Sequence, residues 1–91
     1  MYLHIGNDAI VSHNSIIGIF DLEKTSQSHR TKEFLKRAQR EEKIETVTDE
    51  LPASFILCQR DGKIAIYLSQ ISTATLKKRC ELENFKMENR E

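Results

Sequence analysis

FILCQRDGKIAIYLS, residues 55–69, decides the fold. Phe55 to Gln59 and Ile64 to Ser69 are runs of β-branched and aromatic residues, and Arg60-Asp61-Gly62-Lys63 separates them. Asp-Gly between two such runs is a two-residue hairpin turn, because both central positions need positive φ. In the second run Ile64, Ile66 and Leu68 alternate with Ala65, Tyr67 and Ser69, so one face packs on the core.

Upstream, Tyr2 to Ile5 and Ala9 to Ser12 are short β-rich runs around Gly6-Asn7-Asp8, whose chemistry makes a turn, so a first hairpin is expected. His13-Asn14-Ser15 is a second turn. Ile16 to Glu23 reads as a strand that is apolar on both faces, with Ile17 and Ile19 on one and Ile16, Phe20 and Leu22 on the other. Such a strand is buried on both sides, by a helix or by another subunit. A helix is expected from near Ser28 to about Lys43. Its apolar stripe is Thr31, Phe34, Leu35 and Ala38, and Arg30, Lys32, Lys36, Arg37, Arg40 and Lys43 make its outer face basic. Ile44 to Val47 is a candidate edge strand, and Pro52 places Asp49 to Ala53 in a loop.

The last motif is STATLKKRC, Ser72 to Cys80. A serine or threonine caps a short helix carrying Lys77, Lys78 and Arg79. Beyond it, 81–91 is a tail of mixed charge with Leu82, Phe85 and Met87 spaced along it, which either extends the helix or frays. The tally is an α+β fold, a small antiparallel β-rich domain over 1–80 with one main helix.

Composition narrows the function. With 91 residues, one domain is expected, and so thin a core favours association with further copies. The 14 basic and 14 acidic residues cancel, so any nucleic-acid binding needs cations gathered on one face. No apolar run approaches the roughly 20 residues that span a bilayer, so no membrane partner is expected. Met1 to Val11 has no basic segment ahead of its apolar residues, unlike a signal peptide. Two cysteines, Cys58 and Cys80, without a CxxC pair fit buried thiols in the cytoplasm.

Catalysis is not expected. His4, His13 and His29 have no Cys, Asp or Glu partners at ligand spacing, so no metal site is read. Gly6, Gly18 and Gly62 form no phosphate loop, no serine sits in a nucleophile elbow, and no cofactor is implied.

MYLHIGNDAIVSHNSIIGIFDLE, the later hairpin and STATLKKR together resemble the bacterial extracellular matrix regulatory proteins (RemA/RemB), most closely their RemB-like branch. The resemblance runs from Met1 to about Arg79. It rests on the opening LHIG with its turn, the strand Ile16 to Phe20, and the closing serine-rich turn before Thr75 to Arg79. It implies a cytoplasmic DNA-binding regulator of biofilm matrix operons. The implied fold is similar to the LytTR DNA-binding domain and assembles into a ring that DNA wraps. In a ring, a modest basic patch repeats into a continuous belt. The family's DNA-contacting arginines have no counterparts here: Ser15 stands at one position, and the loop Glu50-Leu51-Pro52-Ala53 holds none.

Three groups of cations compete to replace them: Lys77, Lys78 and Arg79; Arg60 and Lys63 at the hairpin tip; and the basic face of the main helix. The first two are assigned to double-stranded DNA, through its phosphates. The alternative is an oligomeric protein-interaction module, without DNA binding, that acts on a RemA-type partner.

Overall fold

A computed structural model describes residues 2–25 and 28–88, the side chains of 25 and 83–88 excepted. The chain is α+β. β1 (Tyr2–Gly6) and β2 (Ala9–Ser12) form an antiparallel hairpin, and a 3-10 turn (His13–Ser15) leads to β3 (Ile16–Asp21). A helical turn, α1 (Leu22–Thr25), precedes α2 (His29–Arg40). Then follow β4 (Ile44–Thr46), β5 (Ser54–Arg60), β6 (Lys63–Ser69) and α3 (Thr73–Glu88). A four-stranded sheet has the order β3-β5-β6-β4.

The central hairpin is as expected. Asp61 and Gly62 have φ of 53° and 77°, and Arg60 pairs with Lys63 as the last rung of the ladder. The sheet, however, is covered on both faces. On one face Phe55, Leu57, Ile64, Ile66 and Leu68 pack with Leu35 and Ala38 of α2. On the other, Ile56, Cys58 and Tyr67 pack with Leu3, Ile5 and Val11 of the first hairpin and with Leu76 and Cys80 of α3. Both sets from β6 are therefore core, and a period of two cannot distinguish a strand buried once from one buried twice. Each fully buried leucine or isoleucine contributes about 1.5–3 kcal/mol.

Five boundaries and pairings depart from the sequence reading. The sheet is mixed, because β4 runs parallel to β6, with Ile44 opposite Ile66 and Thr46 opposite Leu68. The loop after β4 passes the end of β6, where Val47 N–H bonds Leu68 O and Ala53 N–H bonds Ser69 O, and so enters β5 from the same end. β3 stops at Asp21, whose Oδ1 accepts the Lys24 N–H at 2.9 Å and so starts α1 with Leu22 and Glu23 inside it. β3 is also an edge strand with a bulge between Ile16 and Gly18, and on the single chain Ile17 is 54% exposed, on the face for which the sequence reading offers a helix or another subunit as cover.

α2 begins where expected, at the Ser28 cap, but ends at Arg40. Glu42 takes φ 57°, Glu42 N–H bonds Gln39 O and Lys43 N–H bonds Ala38 O. That is a Schellman end with glutamate in the seat glycine usually fills, so the stop signal is hidden in the sequence. Finally, α3 is not short: it has 16 residues, running through the boundary expected at Cys80. Nothing from Thr73 to Glu88 is Gly or Pro, and Leu, Lys, Arg and Glu are good helix formers. The side chains of Phe85 and Met87, and residues 89–91 of the expected tail, lie outside the described residues.

Candidate functional site

Two buried serines place α3. Ser54 and Ser69 are cross-strand partners, and neither is exposed to solvent. The Ser54 hydroxyl donates to Ile71 O at 2.7 Å, and the Ser69 hydroxyl accepts the Ile71 N–H at 3.0 Å while donating to Ile5 O. One rung of the sheet thus grips both the entry to α3 and the end of β1. Ser72 then caps the helix, accepting the Thr75 N–H at 3.2 Å and donating to Thr75 Oγ1 at 3.0 Å.

From that start, helical spacing sets where the cations go. Leu76 is 0% exposed and Cys80, one turn on, packs against the same cluster, so this stripe faces inward. At about 100° per residue, Lys78 then points away from the core, while Lys77 and Arg79 lie on opposite flanks. Lys77 and Lys78 are exposed. Arg79 is only half-exposed: its Nη1 donates to His4 O at 3.0 Å and lies 3.5 Å from His4 Nδ1. The structure therefore brings Arg79 to β1 and fans the three consecutive cations around the helix rather than gathering them.

Arg60 and Lys63 are exposed cross-strand partners at the hairpin tip. Strand alternation puts them on the same face as Cys58, Ala65 and Tyr67, the face that carries α3. The Tyr67 phenol records the proximity: burial pushes its pKa up, Cys58 and Glu45 add to that, and the Arg60 charge opposes them. Both assigned groups of cations thus belong to one side of the sheet.

The basic face of α2 lies on the other side and is partly neutralised. Arg37 and Lys43 reach Glu41 at 3.7 and 2.9 Å, and His29 lies 3.6 Å from Glu33. Lys43, with Arg37 and Arg40, holds the Glu41 carboxyl below its ordinary pKa. Arg30, Lys32, Lys36 and Arg40 of α2 form no ion pair among the described residues, and neither do Arg60, Lys63, Lys77 and Lys78.

At the position where the family resemblance expects an arginine, Ser15 is half-buried and donates to Ser12 O at 2.7 Å, closing the 3-10 turn. Of the loop from Glu50 to Ala53, Leu51, Pro52 and Ala53 line a cleft of about 550 Å³ together with Asp21 and Glu23. Neither place offers a cation. Cys58 and Cys80 are free thiols, and burial pushes both pKa values up. No helix among the described residues is long and apolar enough to cross a membrane.

Sequence reasoning missed three features. The serine rung and the His4–Arg79 contact join residues far apart in the chain, and nothing local signals either. An apolar groove of about 280 Å³ also lies between α2 and the sheet, lined by Phe20, Phe34, Phe55 and Leu57 with Arg30 and Thr31. Its aromatic floor, Phe20 stacked on Phe55 at 4.9 Å, follows from the β3–β5 register.

Fold and site define a small α+β domain whose mixed sheet is covered by α2 on one face and by the first hairpin and α3 on the other. The chain belongs to the RemA-like family, described as extracellular matrix regulatory protein A-like, whose model matches residues 2–80. It is similar to Extracellular matrix regulatory protein B of Bacillus subtilis (strain 168). The two are 37% identical over 81 residues, which cover 89% of this chain and 91% of that protein.

Proposed function

We propose that this protein is a DNA-binding regulator of extracellular matrix genes. It acts as a homo-oligomer in the cytoplasm and holds the phosphate backbone through Arg60, Lys63, Lys77, Lys78 and Arg79. Membership of the family, and a relative named a matrix regulatory protein, support the regulatory role. The observation that carries the DNA contact is the placement of the assigned cations on one side of the sheet. The cations at the hairpin tip and on α3 share one side of the sheet, and Arg60, Lys63, Lys77 and Lys78 form no ion pair among the described residues; the competing cations of α2 lie on the other side, where Glu41 takes Arg37. Phosphate contacts of this kind position a protein on a duplex without reading bases. Repetition of the patch in an oligomer multiplies a weak contact. The free thiols fit a reducing compartment.

The experiment is titration of the protein against a generic duplex at two salt concentrations, with its mass in solution measured alongside. Binding by an oligomer that weakens steeply at the higher salt supports the reading. Replacing Lys77 and Lys78 with glutamate then weakens it further; unchanged affinity removes α3 from the interface.

A second reading is favoured by the apolar groove and by Leu51, which is 91% exposed beside an acidic cleft. In it the fold serves a protein partner of RemA type and does not bind DNA. Absence of duplex binding at low salt selects this reading.

A further inference from the structure

Arg79 differs from the lysines beside it in being held. Its Nη1 meets both the carbonyl and the ring of His4, 75 residues away in sequence. The His4 ring is itself held, since Nε2 contacts the carbonyl of Asn7 in the β1–β2 turn. A carbonyl only accepts, so Nε2 carries the proton and Nδ1 is left as an acceptor toward the guanidinium. The order is Arg79 Nη1–H to His4, then His4 Nε2–H to Asn7 O. Turn, ring and guanidinium form one chain of hydrogen bonds from β1 to α3.

Using Nη1 in this way leaves the Nη2 and Nε hydrogens of Arg79 uncommitted among the described residues. Those hydrogens form the two-pronged edge that matches two oxygens of a phosphate. With one end fixed, the plane of that edge is fixed as well. Lys77 and Lys78 are exposed ammonium groups on flexible stems, with no such tether among the described residues. The geometry points to His4 as a positioning residue. It orients Arg79 so that α3 offers one directed, bidentate phosphate contact beside two diffuse charges. This inference rests on the proposed DNA contact, and it assigns to that contact an orienting residue on another element.

The test uses the full chain, with His4→Phe, His4→Gln, Arg79→Gln and the double variant His4→Phe/Arg79→Gln. Nitrogen-resolved NMR of the free protein reads the tether. The wild type is expected to show the His4 proton on Nε2 and a slowly rotating Arg79 guanidinium, and His4→Phe, which keeps the backbone acceptor and removes only the ring contact, to speed that rotation. In duplex titration, His4→Phe and Arg79→Gln are each expected to weaken binding about five-fold, and the double variant no further than either alone. His4→Gln, which keeps an amide oxygen as acceptor, is expected to retain most of the affinity, a rescue that mere filling of space does not give. Additive losses, an unaffected His4→Phe, or a freely rotating Arg79 in the wild type overturns the positioning role and leaves the DNA reading standing. A wild type that binds no duplex at low salt while its tether is intact overturns the phosphate role together with the DNA reading.

Discussion

Replacing Lys77 and Lys78 together with glutamine removes two charges from α3 and leaves its packing alone. Both side chains are exposed, while the adjacent Leu76 and Cys80 hold the helix on the core. The change should therefore move folding stability by no more than about 0.5 kcal/mol. Its effect on DNA is calculable. Each phosphate neutralised contributes about −0.9 to the slope of log K against log salt. Arg60, Lys63, Lys77, Lys78 and Arg79, all engaged, give about −4.5 for each bound subunit, and loss of two gives about −2.7. Between 50 and 200 mM salt the wild type then loses affinity about 500-fold per subunit and the variant about 40-fold. Fluorescence anisotropy with a labelled duplex, read at several salt concentrations, measures both slopes. Thermal unfolding confirms that the variant is folded. An unchanged slope in a folded variant refutes phosphate contact by Lys77 and Lys78, whatever the absolute affinity.

The interior offers sharper tests of the fold. Leu76→Ala, at a position with no exposure, should cost about 2–5 kcal/mol in denaturant unfolding, a large share of the total for a chain of this size. Ser69→Ala leaves the Ile71 N–H and the Ile5 carbonyl without their shared partner and should cost about 1–3 kcal/mol, with α3 amides exchanging faster. The two left-handed glycines should separate. Gly62→Ala meets no atom within 4 Å and should cost only its backbone term, about 1 kcal/mol, whereas Gly6→Ala brings a methyl to 3.1 Å from the Val47 carbonyl and should cost clearly more. Cys58, buried and with its pKa raised by that burial, should react with a thiol reagent at pH 8 much more slowly than the unfolded chain does.

What the sequence discloses is what neighbours in the chain decide. Asp61-Gly62 specifies its turn because positive φ at two successive positions is a local requirement, and the β5–β6 register follows from it. The Ser28 cap and the stripe of α2 are local too. The end of α2 is equally local but unannounced, because Glu42 accepts a left-handed conformation that glycine or asparagine would have signalled. Failures of another kind concern distance. That β4 pairs parallel to β6 depends on which way a loop crosses the sheet, and nothing in Ile44 to Thr46 encodes it. Likewise Ser54 and Ser69 look like ordinary polar strand residues until the fold buries them and hands them Ile71 and Ile5.

The candidate site divides the same way. That Lys77, Lys78 and Arg79 are cations on a helix is legible, and so is the basic hairpin tip. Their relation to each other is not. Three consecutive residues on a helix point in three directions, so a run of charge in sequence is no patch in space. The two groups share a side because strand alternation sends Arg60 and Lys63 to the face on which the serine rung anchors α3. A net charge of zero is compatible with this, since the field near a surface depends on which charges are matched within roughly a Debye length of about 8–10 Å. At the end of α2, Glu41 matches Arg37 and Lys43 at 3.7 and 2.9 Å, while Arg30, Lys32, Lys36 and Arg40 form no ion pair among the described residues. On α3, Arg79 is turned to His4 and stands beside two exposed lysines. A net charge of zero therefore does not exclude the proposed phosphate contact, which depends on where the hairpin-tip and α3 cations stand and not on the total.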